Sequence, residues 1–345
     1  MAPRRTKYSY AAATLSPVVT KQKKHRAVVD FSVVDEGLNP TSHGKKFENG
    51  TLVDAYSMAN HVVEIFEFVL TGVFTTECVL KIVALGVAGQ GSYWKDSWNV
   101  IDFFMLFGLS CMAQVTLSGG SAGSFVTIAL AWGFAYFIGI SIGGGVSGAH
   151  LNPTVTVTLA LLKMLPWKKV PFYILVQTAA AYVSALVVYI LYRPMFNEVD
   201  PDRTTTHTVF ATFPHENVGN FTCFLTEFLA AALLILGILA LLDQHNRPIG
   251  RHAVPPAIGV LVSAIAMGFA MNTGLAANGA RDLGPRLFML TAGWGSRVFT
   301  LNHYYFWIPL VAPILGGAAG AFVYEAMVGY HHPGRSFGPY PEYRF

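Results

Sequence analysis

Along this chain apolar positions do not alternate with polar ones; they come in long runs separated by short polar or glycine-rich stretches. Six runs, near 98–118, 124–146, 169–192, 221–242, 253–272 and 305–329, each suit a helix of about 20 residues, the length that crosses a bilayer core of about 30 Å. Two apolar pieces are shorter: "NPTVTVTLALLK" between the second and third runs, and "NGARDLGPRLFML" between the fifth and sixth. At about 1.5 Å per residue each reaches roughly 18–20 Å, half a bilayer. Half-spans that enter from opposite faces and meet at the midplane make one full-length element, the arrangement that inverted repeats produce.

Each half of the chain reads as helix, helix, Asn-led half-helix, helix, and the polar connection 193–220 joins the halves. Three spans per half is an odd number, so the second half sits inverted. The predicted fold is an all-α membrane protein: six transmembrane helices plus two re-entrant half-helices in an inverted repeat, with one extra N-terminal apolar helix. Charge agrees with this layout. Lys163, Lys168, Lys169, Arg247 and Arg251 fall on one side, the cytosolic one, while Asp200, Asp202, Arg203 and Glu216 in the connection are expected outside.

Composition narrows the class further. Of 345 residues 53% are hydrophobic and 12% charged, which excludes an ordinary soluble domain. The net charge of +4 is uneven, with Arg4, Arg5, Lys7, Lys21, Lys23, Lys24, Arg26, Lys45 and Lys46 crowding the start. No folded element accompanies that basic stretch, so it predicts a disordered cytosolic tail and no nucleic-acid partner. Four segments follow: the tail at 1–57, the extra apolar helix at 58–96, interfacial or transmembrane, a channel-like domain at 97–332, and a C-terminal tail at 333–345. Cys78, Cys111 and Cys223 are isolated in apolar runs and predict neither disulfide nor zinc site. No metal or cofactor is expected, and no enzyme: His150 has no second ligand or nucleophile at usable spacing and is assigned a structural hydrogen bond in its loop.

The half-helix starts carry the chemistry. A helix beginning at the midplane leaves its first N–H groups without partners, where unsatisfied polar groups cost several kcal/mol unless a wet cavity or a cap serves them. Asn152 and Asn278 stand at the N-cap positions, each with an oxygen for the first-turn amides and an NH₂ expected to face a lumen. Pro153 suits the first helical position of one; Gly279 is its looser counterpart in the other. Two positive helix ends meeting at the centre repel cations. Arg281 adds to this charge, with adjacent Asp282 as its candidate partner or as one half of a buried ion pair that pins the loop.

On "WGFAYFIGISIGGGVSGAHLNPTVTV", "MNTGLAANGARDLGPRLF" and "TAGWGSRVF" the chain resembles the aquaporin superfamily, and within it the glycerol facilitators or aquaglyceroporins, over about 97–330. The resemblance implies that Trp132, Ala266, Leu275 and Arg281 form the selectivity filter. Ala266 stands where narrow water-only filters carry a His, which implies room for glycerol, and Asp282 after the Arg is also a glycerol-facilitator mark. Glu227 would brace the half-helix loops from the fourth span. Its first-span counterpart falls on Ser97, with Asp102 out of place by more than a turn. Two motif positions depart from the family's Asn-Pro-Ala: Thr154 in "NPT" and Gly279 in "NGA".

The function implied is a passive channel for glycerol, water and other small neutral solutes that excludes protons and ions. It would work as a homotetramer in a lipid bilayer, as a multi-pass protein of the plasma membrane. Two rivals stand beside it. The altered motifs and first span suit a non-conducting or signalling membrane protein on the same scaffold. A cation channel is suggested by 66–86 and 98–104, which resemble voltage-sensor helices of calcium and sodium channels, with Phe74, Glu77 and Asp102 at charge-transfer positions; no arginine ladder follows.

Overall fold

The computed structural model describes residues 45–48, 51–54, 102–247 and 249–332. The extra helix expected in 58–96, the voltage-sensor-like stretch up to residue 101, Ser97 and the C-terminal tail lie outside the described residues. Two units divide the chain, 1–57 and 58–345. In the first, β1 (Lys45–Glu48) and β2 (Thr51–Asp54) pair antiparallel, with Lys45 opposite Asp54 and Glu48 opposite Thr51. That hairpin departs from the all-α expectation and from the featureless tail. Asn49-Gly50 stands between the strands in sequence, a pairing that favours two-residue hairpin turns.

The described part of the second unit is helical. Its α-helices are α1 (Asp102–Leu117), α2 (Phe125–Ser147), α3 (Pro153–Leu161), α4 (Val170–Val199), α5 (Asn220–Leu242), α6 (Val254–Thr273), α7 (Gly279–Thr291), α8 (Arg297–Tyr304) and α9 (Ile308–Met327). Five helical stretches are long and apolar enough to cross a membrane, and α1 provides a shorter apolar helix over Phe104–Leu117. The chain is a multi-pass integral membrane protein. Its surface fits that solvent: Phe221 is 81% exposed and Met271 88%, while Asn152, Glu227, Asn278, Arg281 and Asp282 are buried. A water-soluble fold distributes those residue types the other way.

Helix packing sets the frame for the site. α2 packs on α6, α5 on α9, α4 on α7, and α1 on both α2 and α4. At the α2–α6 crossing Gly133 and Gly259 face each other so closely that a Cβ on Gly133 would stand 2.4 Å from the Gly259 carbonyl oxygen, and one on Gly259 2.6 Å from that of Gly133. Small residues that let backbones approach are how membrane helices associate, because lipid removes the hydrophobic drive. Of the glycines in α2, Gly139 serves such a contact, against Phe104, whereas Gly145 has nothing within 4 Å.

The connection after α4 differs most from expectation. α4 continues past residue 192, through Pro194, to Val199. The chain that follows folds back over the protein as a strap: Val209, Phe210, Ala211 and Thr212 are buried, and so are the charged Asp200 and Arg203. Asp200 holds the turn by accepting from the backbone N–H groups of Thr204, Thr205 and Thr206 and from two threonine hydroxyls. Burial pushes its carboxyl up, yet these bonds prevail and hold it well below the usual carboxylate range. Arg203 sits among Tyr189, Phe196 and Trp294 and donates to the Phe196 and Asp200 carbonyls. Helix α8 is the other departure, broken by non-helical Leu301, Asn302 and His303 before α9 begins at Ile308.

The Gly133–Gly259 crossing has a direct test. Gly133→Ala forces α2 and α6 apart and is expected to destabilise the protein by about 1–3 kcal/mol, as overpacking does. Gly145→Ala meets open space and is expected to leave the thermal unfolding midpoint in detergent unchanged or slightly raised. Equal midpoints for the two variants would remove the crossing from the account.

Candidate functional site

Two short helices, α3 and α7, begin at the same kind of loop. Each preceding long helix ends on a left-handed glycine, Gly148 at φ 75° and Gly274 at φ 78°, whose N–H returns to the helix. The next residues repeat the pattern with positive φ at Ala149 and Leu151 in one loop and at Leu275 and Ala277 in the other. Left-handed non-glycine residues cost of order 1–3 kcal/mol each and persist where their surroundings dictate them. Ser147 and Thr273 begin that control: their hydroxyls accept from the N–H of Ala149 and of Leu275, both at 3.1 Å.

Both loops then place an extended asparagine at the N-cap, Asn152 with φ −157° and Asn278 with φ −156°. Asn152 Oδ1 accepts from Thr154 N at 2.8 Å; Asn278 Oδ1 accepts from Ala280 N and Arg281 N, each at 3.1 Å. The amide nitrogens cross over. Asn152 Nδ2 donates to the Ala277 carbonyl at 2.9 Å, and Asn278 Nδ2 to the Leu151 carbonyl at 2.8 Å. Each asparagine thus bonds the residue just before the other. A second bond from Asn278 Nδ2 reaches the Tyr136 hydroxyl at 3.1 Å. Each NH₂ group, expected to face a lumen, thus also serves the opposite loop.

Bracing differs between the loops. Glu227, on α5 and fully buried, accepts from Thr273 Oγ1 at 2.7 Å, Ala276 N at 3.0 Å and Ala277 N at 2.7 Å. Among the described residues no carboxylate accepts from the loop 148–152. There His150 Nδ1 pairs with Thr156 Oγ1 at 3.1 Å, Gln177 donates to the same oxygen, and Tyr173 stacks on the His150 ring while its hydroxyl donates to the Ser147 carbonyl. Pro153 stands first in α3. Thr154 is fully buried, its hydroxyl without a hydrogen-bond partner, and its methyl lies in the space that a side chain at residue 317 would take; Gly317 makes the threonine fit. Gly279 also has room, with the nearest atoms to a built Cβ at 3.4–3.5 Å.

Trp132, Ala266, Leu275 and Arg281 come together around one cavity of about 640 Å³, its open mouth included. The Arg281 guanidinium lies over the Trp132 ring at 4.7 Å and donates to the Phe210 carbonyl at 3.0 Å and to Met112 Sδ at 3.1 Å. Its expected partner, Asp282, is engaged elsewhere. That carboxylate binds Arg286 at 2.5 Å and accepts from both the N–H and the hydroxyl of Thr212, at 2.7 and 2.6 Å. The geometry explains the correction: Arg286 lies one helical turn along, at i+4, whereas adjacent residues point to different faces of a helix. Neither reading of an Arg281–Asp282 pair is met: Asp282 ties the strap at Thr212 to α7 together with Arg286.

Tyr136, Met112, Phe210, Thr212 and Arg286 were missed from the sequence. Arg286 at i+4 from Asp282 and Tyr136 at i+4 from Trp132 carried a readable helical signal. Phe210 offers only a backbone carbonyl, and no side-chain pattern announces that.

The family model for "Major intrinsic protein" matches residues 100–324. Aquaglyceroporin-2 of Rhizophagus irregularis is 42% identical over 228 residues, 64% of this chain and 72% of that protein. Aquaporin-10 of Homo sapiens is 38% identical over 235 residues, 66% of this chain and 78% of its own length. Among solved structures, the X-ray structure of the aquaglyceroporin from Plasmodium falciparum superposes with a TM-score of 0.62 at 29% identity, over 67% of this chain and 94% of that one.

Glu227→Gln tests the brace. In either orientation its NH₂ faces a buried N–H or hydroxyl donor, and the expected loss is about 2 kcal/mol or more, read as a lower unfolding midpoint. A midpoint equal to wild type would show that the left-handed loop is held without this carboxylate.

Proposed function

The chain belongs to the major intrinsic protein family, in its aquaglyceroporin branch, and is a passive membrane channel for glycerol and water; we propose that its conducting path runs through the Trp132–Arg281 cavity to the junction of the two asparagine caps. The observation that carries this reading is the reciprocal bonding of Asn152 and Asn278, which sets two helix N-termini head to head. In this reading α3 and α7 are re-entrant half-helices, and α1, α2, α4, α5, α6 and α9 are the six spans of an inverted repeat. The matching left-handed loops support that layout. Lys163, Lys168, Lys169 and Arg251 mark the cytosolic face by the positive-inside rule.

Trp132, Ala266, Leu275 and Arg281 act as the selectivity filter. Trp132 and Leu275 supply an apolar wall, and Arg281, with five N–H donors, retains some for a solute beyond the two bonds it makes. A polyol has a carbon edge and a hydroxyl edge, and such a wall accepts both. The small Ala266 leaves width for it. Cations and protons meet the guanidinium and then two positive helix ends, a barrier that neutral solutes do not feel. Asn152, Asn278, Pro153, Thr154 and Gly279 build the two helix starts, while Glu227 and His150 hold the loops and Asp282 ties the strap to α7. The protein works as a homotetramer in a lipid bilayer, the plasma membrane, with one pore per subunit.

Reconstituted vesicles test the assignment by stopped-flow light scattering. Wild type is expected to give glycerol-driven reswelling and fast osmotic shrinkage without ion current. Arg281→Ala and Trp132→Ala are expected to pass larger polyols that wild type rejects, and Arg281→Ala to raise proton leak. Unchanged solute selectivity in both variants would take these side chains out of the filter.

A further inference from the structure

Tyr136 occupies a position the filter does not account for. It lies on α2 one turn beyond Trp132, and its ring is fixed edge-on against Phe104 with centroids 5.3 Å apart. It lines the same cavity as Trp132 and Arg281, whereas neither cap asparagine lines it: Asn152 is 0% exposed and Asn278 2%. The tyrosine therefore stands between the open space and the caps. Its hydroxyl accepts from Asn278 Nδ2 at 3.1 Å.

A primary amide has two N–H donors. Asn278 gives one to the Leu151 carbonyl and the other to Tyr136, so it has none left for a passing solute. Asn152 gives one to Ala277, and its side chain also reaches the Tyr136 hydroxyl. The Tyr136 hydroxyl, accepting from Asn278, still carries its own proton to offer. A water molecule crossing the junction can be served by that O–H. A polyol with hydroxyls on adjacent carbons needs more partners in file and must also pass the phenol ring.

We propose that Tyr136 is a specificity-determining residue at the cap junction, which takes the Asn278 amide out of use and narrows the passage, favouring water over polyols. The proposal rests on the channel reading above. It goes beyond the filter by adding a second point of selection, deeper in the path.

The experiment compares wild type, Tyr136→Phe and Tyr136→Val in vesicles, measuring permeability to water, glycerol and a four-carbon polyol. Tyr136→Phe frees one Asn278 N–H and keeps the ring; Tyr136→Val also removes the ring. Tyr136→Val is expected to raise the glycerol-to-water ratio about three-fold or more, the worth of one recovered hydrogen bond together with the wider path. The four-carbon polyol gains more, and Tyr136→Phe falls between. If Tyr136 merely braces the caps, all permeabilities fall together at a constant ratio, and that result overturns the proposal. Glycerol passage by wild type with unchanged ratios in both variants also overturns it while leaving the channel reading intact. Wild-type vesicles that pass neither water nor glycerol overturn both.

Discussion

Two helices that start inside a membrane protein expose backbone N–H groups where lipid offers no partner, and the structure depends on how those groups are satisfied. The solution is an exchange. Each cap asparagine serves its own helix through its oxygen and the opposite loop through its nitrogen, so neither helix start is complete without the other. Buried polar networks of this kind are stable when every member is paired and costly when one is lost. The left-handed residues that precede each asparagine are what aim the Leu151 and Ala277 carbonyls at the opposite amides, and local strain is the cost of that aim.

The two halves meet this demand unequally. The loop before α7 is anchored by the Glu227 carboxylate, whose two oxygens accept from three donors of that loop. The loop before α3 relies, among the described residues, on neutral groups: the Ser147 hydroxyl, the His150–Thr156–Gln177 chain and Tyr173. Neutral bonds are roughly half as strong as those to a charged acceptor. Thr154 and Gly279 tell the same story of local accommodation, one fitted by a glycine on the facing helix and the other in ordinary contact with α9. The departures from the family motif change packing around the caps and leave the exchange itself in place.

The sequence made the exchange partly legible. Two Asn-led pieces too short to span, at equivalent places in two halves, were enough to place α3 and α7, and the apolar runs located the long helices to within a turn or so at most ends. Side chains that act through periodicity could be read; those that act through folded-back chain could not. Nothing in 193–220 distinguished a solvated loop from the strap that carries the Phe210 carbonyl to Arg281 and Thr212 to Asp282. Its Asp200 and Arg203 are buried because each finds several partners, and pairing is the condition on which charged groups enter an interior. The crossed amide bonds were missed for a related reason: one asparagine alone shows no partner for its NH₂, and only the facing loop reveals the carbonyl it binds.

The strap also explains how one arginine can remain electrostatically active so deep in the protein. Of the two buried arginines on α7, Arg286 is neutralised by Asp282, and that pair ties the strap to the helix. Arg281 is held instead by a carbonyl, a thioether and an aromatic face, and among the described residues no carboxylate lies within ion-pair distance of it. Those partners fix its position without cancelling its charge. Had Asp282 paired with Arg281, as adjacency in the sequence suggested, the cavity would carry little net field and Arg286 would lose its counter-ion. By dividing the work between the two arginines, the fold keeps a positive charge beside the cavity, where low dielectric walls extend its reach. The charge in the cavity then rests on an assignment of partners that the strap enforces, so that a loop distant in sequence determines the electrostatics around Arg281.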